Sequence, residues 1–477
     1  MTSRLATVAM VAAVTAAAGG CAWLEPKLPA AQPAIPGEWP LPPTSVAAVP
    51  APATSSAAPG AAAAADIGWR DFFVDPALEQ LIALALANNR DLRVAVLNIE
   101  KARQLYRVQR AERAPAVTAN GALVRTGGDG ATSDLYSANL GISEFELDLF
   151  GRVRDLSEAA LQRYFAQEEA RRAAQLALIA EIANAYLSLA ADQEQLRLAQ
   201  ATLKIREEYH ALTVKRHELG AVSALDVDQE TTLVEGARAD AARYAGQVAL
   251  DTNALNVLVG APVDAELLPT RFDAQLTGLG PLPAELPSQV LLRRPDVLGA
   301  EHQLRAANAN IGAARAAFFP MITLTGTVGS ASDELSNLFG AGTHVWTFVP
   351  QITVPIFEGG RLRANLGGAT ADRDIALARY EKSIQQGFRE VSDALALTTT
   401  LAAQREALQS LVDAAQHAEA LSRARYEAGR DSYLVRLESQ RTLYVAQQAL
   451  IVTRLSEQSN RVTLYKVLGG GWKERSP

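Results

Sequence analysis

What this chain lacks narrows it first. It has one cysteine in 477 residues, so neither an intramolecular disulfide framework nor a multi-thiolate metal site can form. Its five histidines are scattered, and no pair has the spacing of a zinc motif. The net charge is −7. Without a basic excess or stripe there is no phosphate-binding surface, and no nucleic-acid partner is expected. The patterns G-x-x-x-x-G-K-[ST], G-x-G-x-x-G after a strand, H-E-x-x-H and G-x-S-x-G are all missing, which removes the common signatures of nucleotide, metalloprotease and serine-hydrolase chemistry. His210 and His217 stand on a stretch rich in Lys, Arg and Glu and read as solvated side chains, not ligands. No enzyme, cofactor or resident metal is expected. Aromatics are sparse at 6%, but 49% of residues are hydrophobic and 20% charged, the balance of a folded chain.

The amino terminus carries one early cation, Arg4, then an Ala/Val-rich apolar run from Leu5. That is a secretory signal pattern, too short for a good membrane span. It ends at Ala18-Gly19-Gly20-Cys21, which resembles a bacterial lipobox, with Ala18 where Leu is usual. The resemblance implies lipidation of Cys21 after cleavage, and Ala22 in place of Asp points to the outer membrane. The alternative is an ordinary cleavage site with a chance cysteine. Ten of the 22 prolines fall between Pro26 and Pro59, and that density favours extended backbone over a packed domain. Residues 1–20 therefore read as a signal peptide and 21–65 as a lipidated Pro/Ala-rich tether.

The rest of the chain is self-similar. Asn89-Arg90-Asp91-Leu92 lines up with Arg294-Pro295-Asp296-Val297, and Pro115 with Pro320, at an offset of 205 residues. Gly151-Arg152 then matches Gly360-Arg361, Gly220 matches Gly429, and Gly260 matches Gly469, at an offset of 209. Two copies follow, 66–260 and 286–470, joined by a linker over 261–285 and ending in a tail over 471–477. The fold class is mainly α with a small β part, each copy running short helix, two strands, long helix, short helix.

Leu78, Leu81, Ile82 and Ala85 form the i, i+3, i+4, i+7 stripe of a first helix over 76–113, repeated over 286–318. The long helices are expected over 153–219 and 362–428, closed by Gly220 and Gly429. The shorter ones are expected over 222–258 and 432–468. A 67-residue helix spans about 100 Å and each shorter one about 50 to 55 Å, so one long helix can run against two short ones stacked end to end. Leu178, Ile182, Ala185 and Leu189, flanked by Ile179 and Tyr186, make the packing seam. Charges such as Arg171, Arg172 and Glu181 argue against helical membrane spans.

The alternating segments raise the membrane question differently. Ile322, Leu324, Gly326 and Val328 alternate with threonines, and Trp346, Phe348, Ile352, Val354 and Ile356 share a face. In the first copy Val117 to Val124 alternates weakly, and Phe145, Leu147 and Leu149 alternate with acids. Strands of about ten residues, apolar outside and polar inside, are the pattern of a transmembrane barrel. A soluble sheet with one face on helices reads the same way. Four strands cannot close a barrel, and open edges cannot sit in lipid, so the membrane reading requires several chains to pool their strands. Loops are expected over 126–134 and 330–344.

Several stretches now carry a resemblance. They are Trp69-Arg70-Asp71-Phe72-Phe73-Val74-Asp75-Pro76, Leu292-Arg293-Arg294-Pro295-Asp296-Val297, Ala313-Ala314-Arg315-Ala316-Ala317-Phe318-Phe319-Pro320 and Leu464-Tyr465-Lys466-Val467-Leu468-Gly469-Gly470-Gly471-Trp472. With this layout, the chain resembles the TolC/OprM-type outer-membrane efflux channels, in their lipoprotein branch. The resemblance implies a homotrimer with a 12-stranded transmembrane β-barrel and a trimeric α-helical barrel as periplasmic tunnel. It implies a periplasmic adaptor and an inner-membrane RND-type transporter as partners, outer-membrane lipid around the barrel, and passive export without chemistry. Ile322, Leu324, Val328, Trp346, Phe348, Ile352 and Val354 would then face lipid. Leu434, Glu438 and Arg441 match the family's periplasmic gate, their first-copy counterparts being Leu225, Gln229 and Thr232; Glu438 and Arg441 also read as a simple surface pair. Gly220, Ala221, Val222, Gly429, Arg430 and Asp431 are candidates for docking the adaptor, although the glycines end helices in any case. Small drugs and toxic organics are the expected cargo. Metal efflux, type I protein secretion and, from another class, a lipid-anchored coiled-coil scaffold are the alternatives.

Overall fold

The computed structural model describes residues 24–33, 35–36, 39, 66–272 and 288–475. The protein is mainly helical with one small sheet. Helices α1 (Trp69–Phe72), α2 (Pro76–Asn88) and α3 (Arg90–Ala111) lead into strands β1 (Val117–Gly128) and β2 (Ala131–Leu147). Helices α4 (Arg152–Glu218) and α5 (Ala224–Val259) follow. After the linker come α6 (Pro295–Ala316), β3 (Met321–Ser332), β4 (His344–Thr353), α7 (Arg361–Glu427) and α8 (Tyr433–Val467). Helices α4 and α7 have 67 residues each, within one residue of expectation at both ends.

The chain divides into two compact units. The helical unit takes 34–96, 170–297 and 384–477. Its core gathers Leu78, Leu81, Ile82 and Ala85 with Leu178, Ile179, Ile182, Tyr186 and Leu189, and with Leu255, Val259 and Val462. Both expected stripes are thus buried, with Ala185 packed at the margin. One window of α4 is long and apolar enough to cross a membrane, but 56% of it is buried inside the protein; between Arg172 and Asp192 the only charge is Glu181. The expectation that charges set these helices apart from membrane spans does not hold for this stretch, which is apolar because it packs into the core. Tyr465 stacks on Phe72 at 3.8 Å and donates to the Ile67 carbonyl at 2.7 Å. The 66–73 segment is tied to the carboxyl-terminal tail by Trp69 N–H to Lys473 O and Arg70 N–H to Glu474 O, both 3.1 Å.

The first helix does not run unbroken from 76 to 113. Asp75 caps α2, accepting from Ala77 N at 2.8 Å, and Pro76 needs no partner for its first-turn nitrogen. At Asn89 the backbone leaves the helix. Its side chain accepts from Leu92 N at 2.9 Å and donates to Leu258 O at 2.8 Å, so one buried amide starts α3 and fastens it to the end of α5. At the matched position Arg294 donates to Val467 O at 2.9 Å, the end of α8, and also pairs with Asp296 and Glu390. There α6 starts at Pro295, after a 3-10 segment Ser288–Arg293, because proline disfavours helix in the residue before it.

The strand-bearing unit takes 1–33, 97–169 and 298–383. Its sheet has order β1-β2-β3-β4, all antiparallel. The expected loop over 126–134 is instead paired strand up to a two-residue turn, Asp129-Gly130, with both φ positive (44° and 90°); Asp-Gly suits this tight hairpin, whose twist matches the strands. The second loop is shorter than expected, since β3 continues to Ser332. Strand β2 begins far upstream of Phe145. A bulge between Ile142 and Phe145 sets two residues against Thr325, with Glu144 at φ 52° and its N–H donating to Thr325 Oγ1 at 3.1 Å. The extra residue reverses the parity of the alternation, so Leu140 and Ile142 lie on the same face as Phe145 and Leu147.

Candidate functional site

The register fixes the two faces of the sheet. Ile322 pairs with Ile352, Leu324 with Pro350, Gly326 with Phe348 and Val328 with Trp346. Leu147, Phe145, Ile142 and Leu140 continue that face across β2, then Val117 and Leu123 on β1. Six of the seven residues singled out in the second copy therefore share one face, and Val354 lies just beyond the end of β4 at the matching parity. The opposite face carries Thr323, Thr325, Thr327, Thr347, Gln351 and Asn139, with Thr327 and Thr347 hydroxyls hydrogen-bonded to each other. Among the described residues no helix covers the β4 side of the apolar face: Trp346 is 69% exposed, Ile352 65% and Phe348 62%. Strands β1 and β4 also leave their outer edges unpaired among the described residues.

The two turns between long and short helices are built alike. Gly220 and Gly429 adopt φ 72° and 70°. Ala221 N–H reaches Arg216 O and Arg430 N–H reaches Arg425 O, both at 2.8 Å, the six-to-one bond of a Schellman ending. The turns then diverge. Asp431 takes a two-pronged bond from Arg425 at 2.7 and 2.8 Å, which holds its carboxyl below the usual carboxylate range. At the corresponding place Val222 offers only its carbonyl, 3.0 Å from His217 Nδ1. Ser223 then starts α5 with a reciprocal capping box to Asp226. All of Gly220, Ala221, Gly429 and Arg430 are exposed.

Leu434, Glu438 and Arg441 project from one face of α8 and are exposed. Arg441 donates to Glu438 at 3.0 Å, an i, i+3 pair within the helix. Their first-copy counterparts Leu225, Gln229 and Thr232 are exposed too but carry no charge.

Cys21 lies outside the described residues. Just after it the tether is anchored: Arg315 donates to Leu24 O at 3.0 Å, and Asn308 donates to Glu25 Oε1 at 2.9 Å and Pro26 O at 2.7 Å.

The family model "Outer membrane efflux protein" matches residues 81–261 and 286–470. The chain belongs to the outer membrane efflux protein family. This efflux protein is 48% identical over 486 aligned positions to the antibiotic efflux pump outer membrane protein ArpC of Pseudomonas putida, covering 100% of this chain and 97% of that one. The toluene efflux pump outer membrane protein TtgC of the same species matches with the same identity and coverage. Among solved structures, the open state of the Neisseria gonorrhoeae MtrE outer membrane channel superposes with TM-score 0.85 at 39% identity, covering 95% of this chain and 99% of that one.

Some features of this efflux protein escaped the sequence reading. The hairpin Asp129-Gly130 was legible in principle, because Asp-Gly between strands is a turn signal. The buried roles of Asn89 and Arg294 were marked only by their matched positions. A cluster of Arg206, Glu230 and Arg436 gave no signal, because charged residues on amphipathic helices ordinarily read as solvated.

Proposed function

We propose that this protein is the trimeric outer-membrane exit duct of a tripartite efflux pump, carrying small apolar toxicants such as drugs and solvents passively to the exterior. The observation that carries this reading is the four-stranded sheet with an uncovered apolar face and two free edges. Edges in lipid must be paired, and three copies supply the 12 strands of a closed barrel. The apolar face, with Ile322, Leu324, Val328, Trp346, Phe348, Ile352 and Val354, then meets lipid, and the threonine face lines the lumen.

The helices continue the duct through the periplasm to tips at Gly220–Val222 and Gly429–Asp431, which receive a periplasmic adaptor fed by an inner-membrane RND-type transporter. Leu434, Glu438 and Arg441 close the tip. Cys21 carries the lipid; the anchoring of Leu24 to Pro26 on α6 supports this, since three residues of chain reach at most about 10 Å and keep the acyl group near the strand-bearing unit. The relatives' names, antibiotic and toluene efflux pumps, support the cargo class.

The test is planar-bilayer conductance of the detergent-purified protein with its mass measured in the same detergent. A conducting trimer is expected. A non-conducting monomer would return the protein to a lipid-anchored scaffold.

A further inference from the structure

Within the strand-bearing unit the two copies leave the same helix face in different states. In the second copy α6 lies on α4. Ala306 and Ala309 pack on Ala159 and all three are buried. His302 Nδ1 lies 2.7 Å from Gln162 Oε1, and the imidazole is 5.4 Å from the Phe165 ring. A Cβ on Gly299 would stand 3.6 Å from that of Glu169. Numbers fall along α4 as they rise along α6, so the two helices run antiparallel. Buried Ala313 extends the face by one more turn.

The offset of 205 carries His302, Ala306, Ala309 and Ala313 to Leu97, Lys101, Gln104 and Val108 on α3. That face is bare: Leu97 is 59% exposed and Val108 64%, and Lys101 and Gln104 are exposed too. The other side of α3, with Ile99, Ala102 and Tyr106, is half-buried. The offset of 209 carries Ala159, Gln162, Ala166 and Glu169 to Gly368, Ala371, Ile375 and Ala378 on α7. These are bare as well. Ile375 is 49% exposed, and a Cβ at Gly367 or Gly368 meets nothing within 4 Å. The first copy thus leaves open the face that α6 presents, and the second leaves open the face that receives it on α4. The sizes also fit. Helix α6 brings glycine and alanine to the larger Gln162, Phe165 and Glu169, whereas α3 brings leucine, lysine, glutamine and valine to the glycines and alanines of α7. With large and small exchanged between the two sides, the helix spacing, which the contact side chains set, is kept.

We propose that α3 of one protomer docks antiparallel on α7 of a second copy of this chain, in the register that α6 takes on α4, so that Lys101 and Gln104 cover the partner's Gly368 and Leu97 meets the partner's Ala371. The inference rests on the reading of the protein as a trimer and names the surface that joins its chains. Helix α3 leads into β1 and α7 follows β4, the two strands at the edges of the sheet, so the helix contact continues the junction at which the barrel pairs its edges. Each protomer offers a different surface on its two sides, the head-to-tail contact that closes into a ring.

The experiment is oxidative cross-linking of the full chain in detergent, read on a denaturing gel without reductant. Gln104→Cys with Gly368→Cys reproduces the close approach of Ala309 to Ala159, which suits a disulfide. It is expected to give covalent trimer, at least about fivefold more than either single variant, since only a pair at bonding distance links. Gln104→Cys with Ala378→Cys uses the same face of α7 ten residues away, about 15 Å along the helix, and is expected to stay at the single-variant level. If the protein has a trimer's mass and the Gly368 pair does not link, or the Ala378 pair links equally well, the contact is wrong and the trimeric duct stands. If the mass is that of a monomer, both fall. Should the Gly368 pair fail to assemble, Leu97→Cys with Ala371→Cys decides by the same reading: covalent trimer supports the contact, and its absence overturns it.

Discussion

Phe348→Arg is the sharpest test of the sheet's two faces. Strand β4 has 10 residues, about 34 Å at 3.4 Å per residue. Tilted by about 45°, it rises about 24 Å, close to the roughly 25 Å apolar band of a transmembrane barrel. Phe348 is the fifth residue of β4 and 62% exposed, so in a barrel it sits close to the bilayer midplane. There an arginine costs about 2–4 kcal/mol on each protomer, roughly 6–12 kcal/mol for a trimer. Its neighbour Thr347 points to the other face, bonded to Thr327; an arginine in an aqueous lumen gives up one hydrogen bond, about 1 kcal/mol. The assay is the yield of heat-modifiable trimer after insertion into liposomes. Phe348→Arg should abolish insertion while Thr347→Arg retains most of it. Equal yields for the two would refute the assignment of faces and, with it, the barrel.

Two further outcomes follow from the helical unit. A Cβ at Gly220 or Gly429 meets nothing within 4 Å, so leucine there costs mainly the left-handed backbone, about 1–2 kcal/mol; trimers should assemble while export in cells fails, and loss of trimers would mean that the glycines serve folding alone. Asp192 is pushed up to about 7 by burial and by the neighbouring Asp251 carboxylate. A free aspartate titrates near 4, so the folded state binds the extra proton between those values. Its stabilisation is complete below about pH 4 and is lost as pH rises through about 7. Trimer melting temperature should fall between about pH 4 and 7, and Asp192→Asn should flatten that slope; an unchanged slope would assign the effect elsewhere.

The boundaries of α4 and α7 were legible to one residue because two local signals coincide: an apolar period that must face a core, and a glycine at positive φ that must end the helix. The face of Ile322, Leu324, Val328, Trp346, Phe348 and Ile352 was legible for a similar reason, since parity along an unbulged strand assigns every side chain. Strand β2 was half missed because one inserted residue at Glu144 reverses that parity, and only the pairing with Thr325 reveals it.

Local order along the chain was therefore enough for element type, helix length and the division of β3 and β4 into two faces, since each depends on neighbours within a turn or a pleat. The clamps of Asn89 on Leu258 and of Arg294 on Val467 join residues 169 and 173 apart, and the burial of Glu230 depends on helices equally remote in sequence. A charge on an amphipathic helix has the same local context whether it meets water or another helix. Packing alone made Glu438 an exposed surface pair and Glu230 a buried one, because burial is a property of what lies opposite, and nothing in the adjacent sequence specifies it.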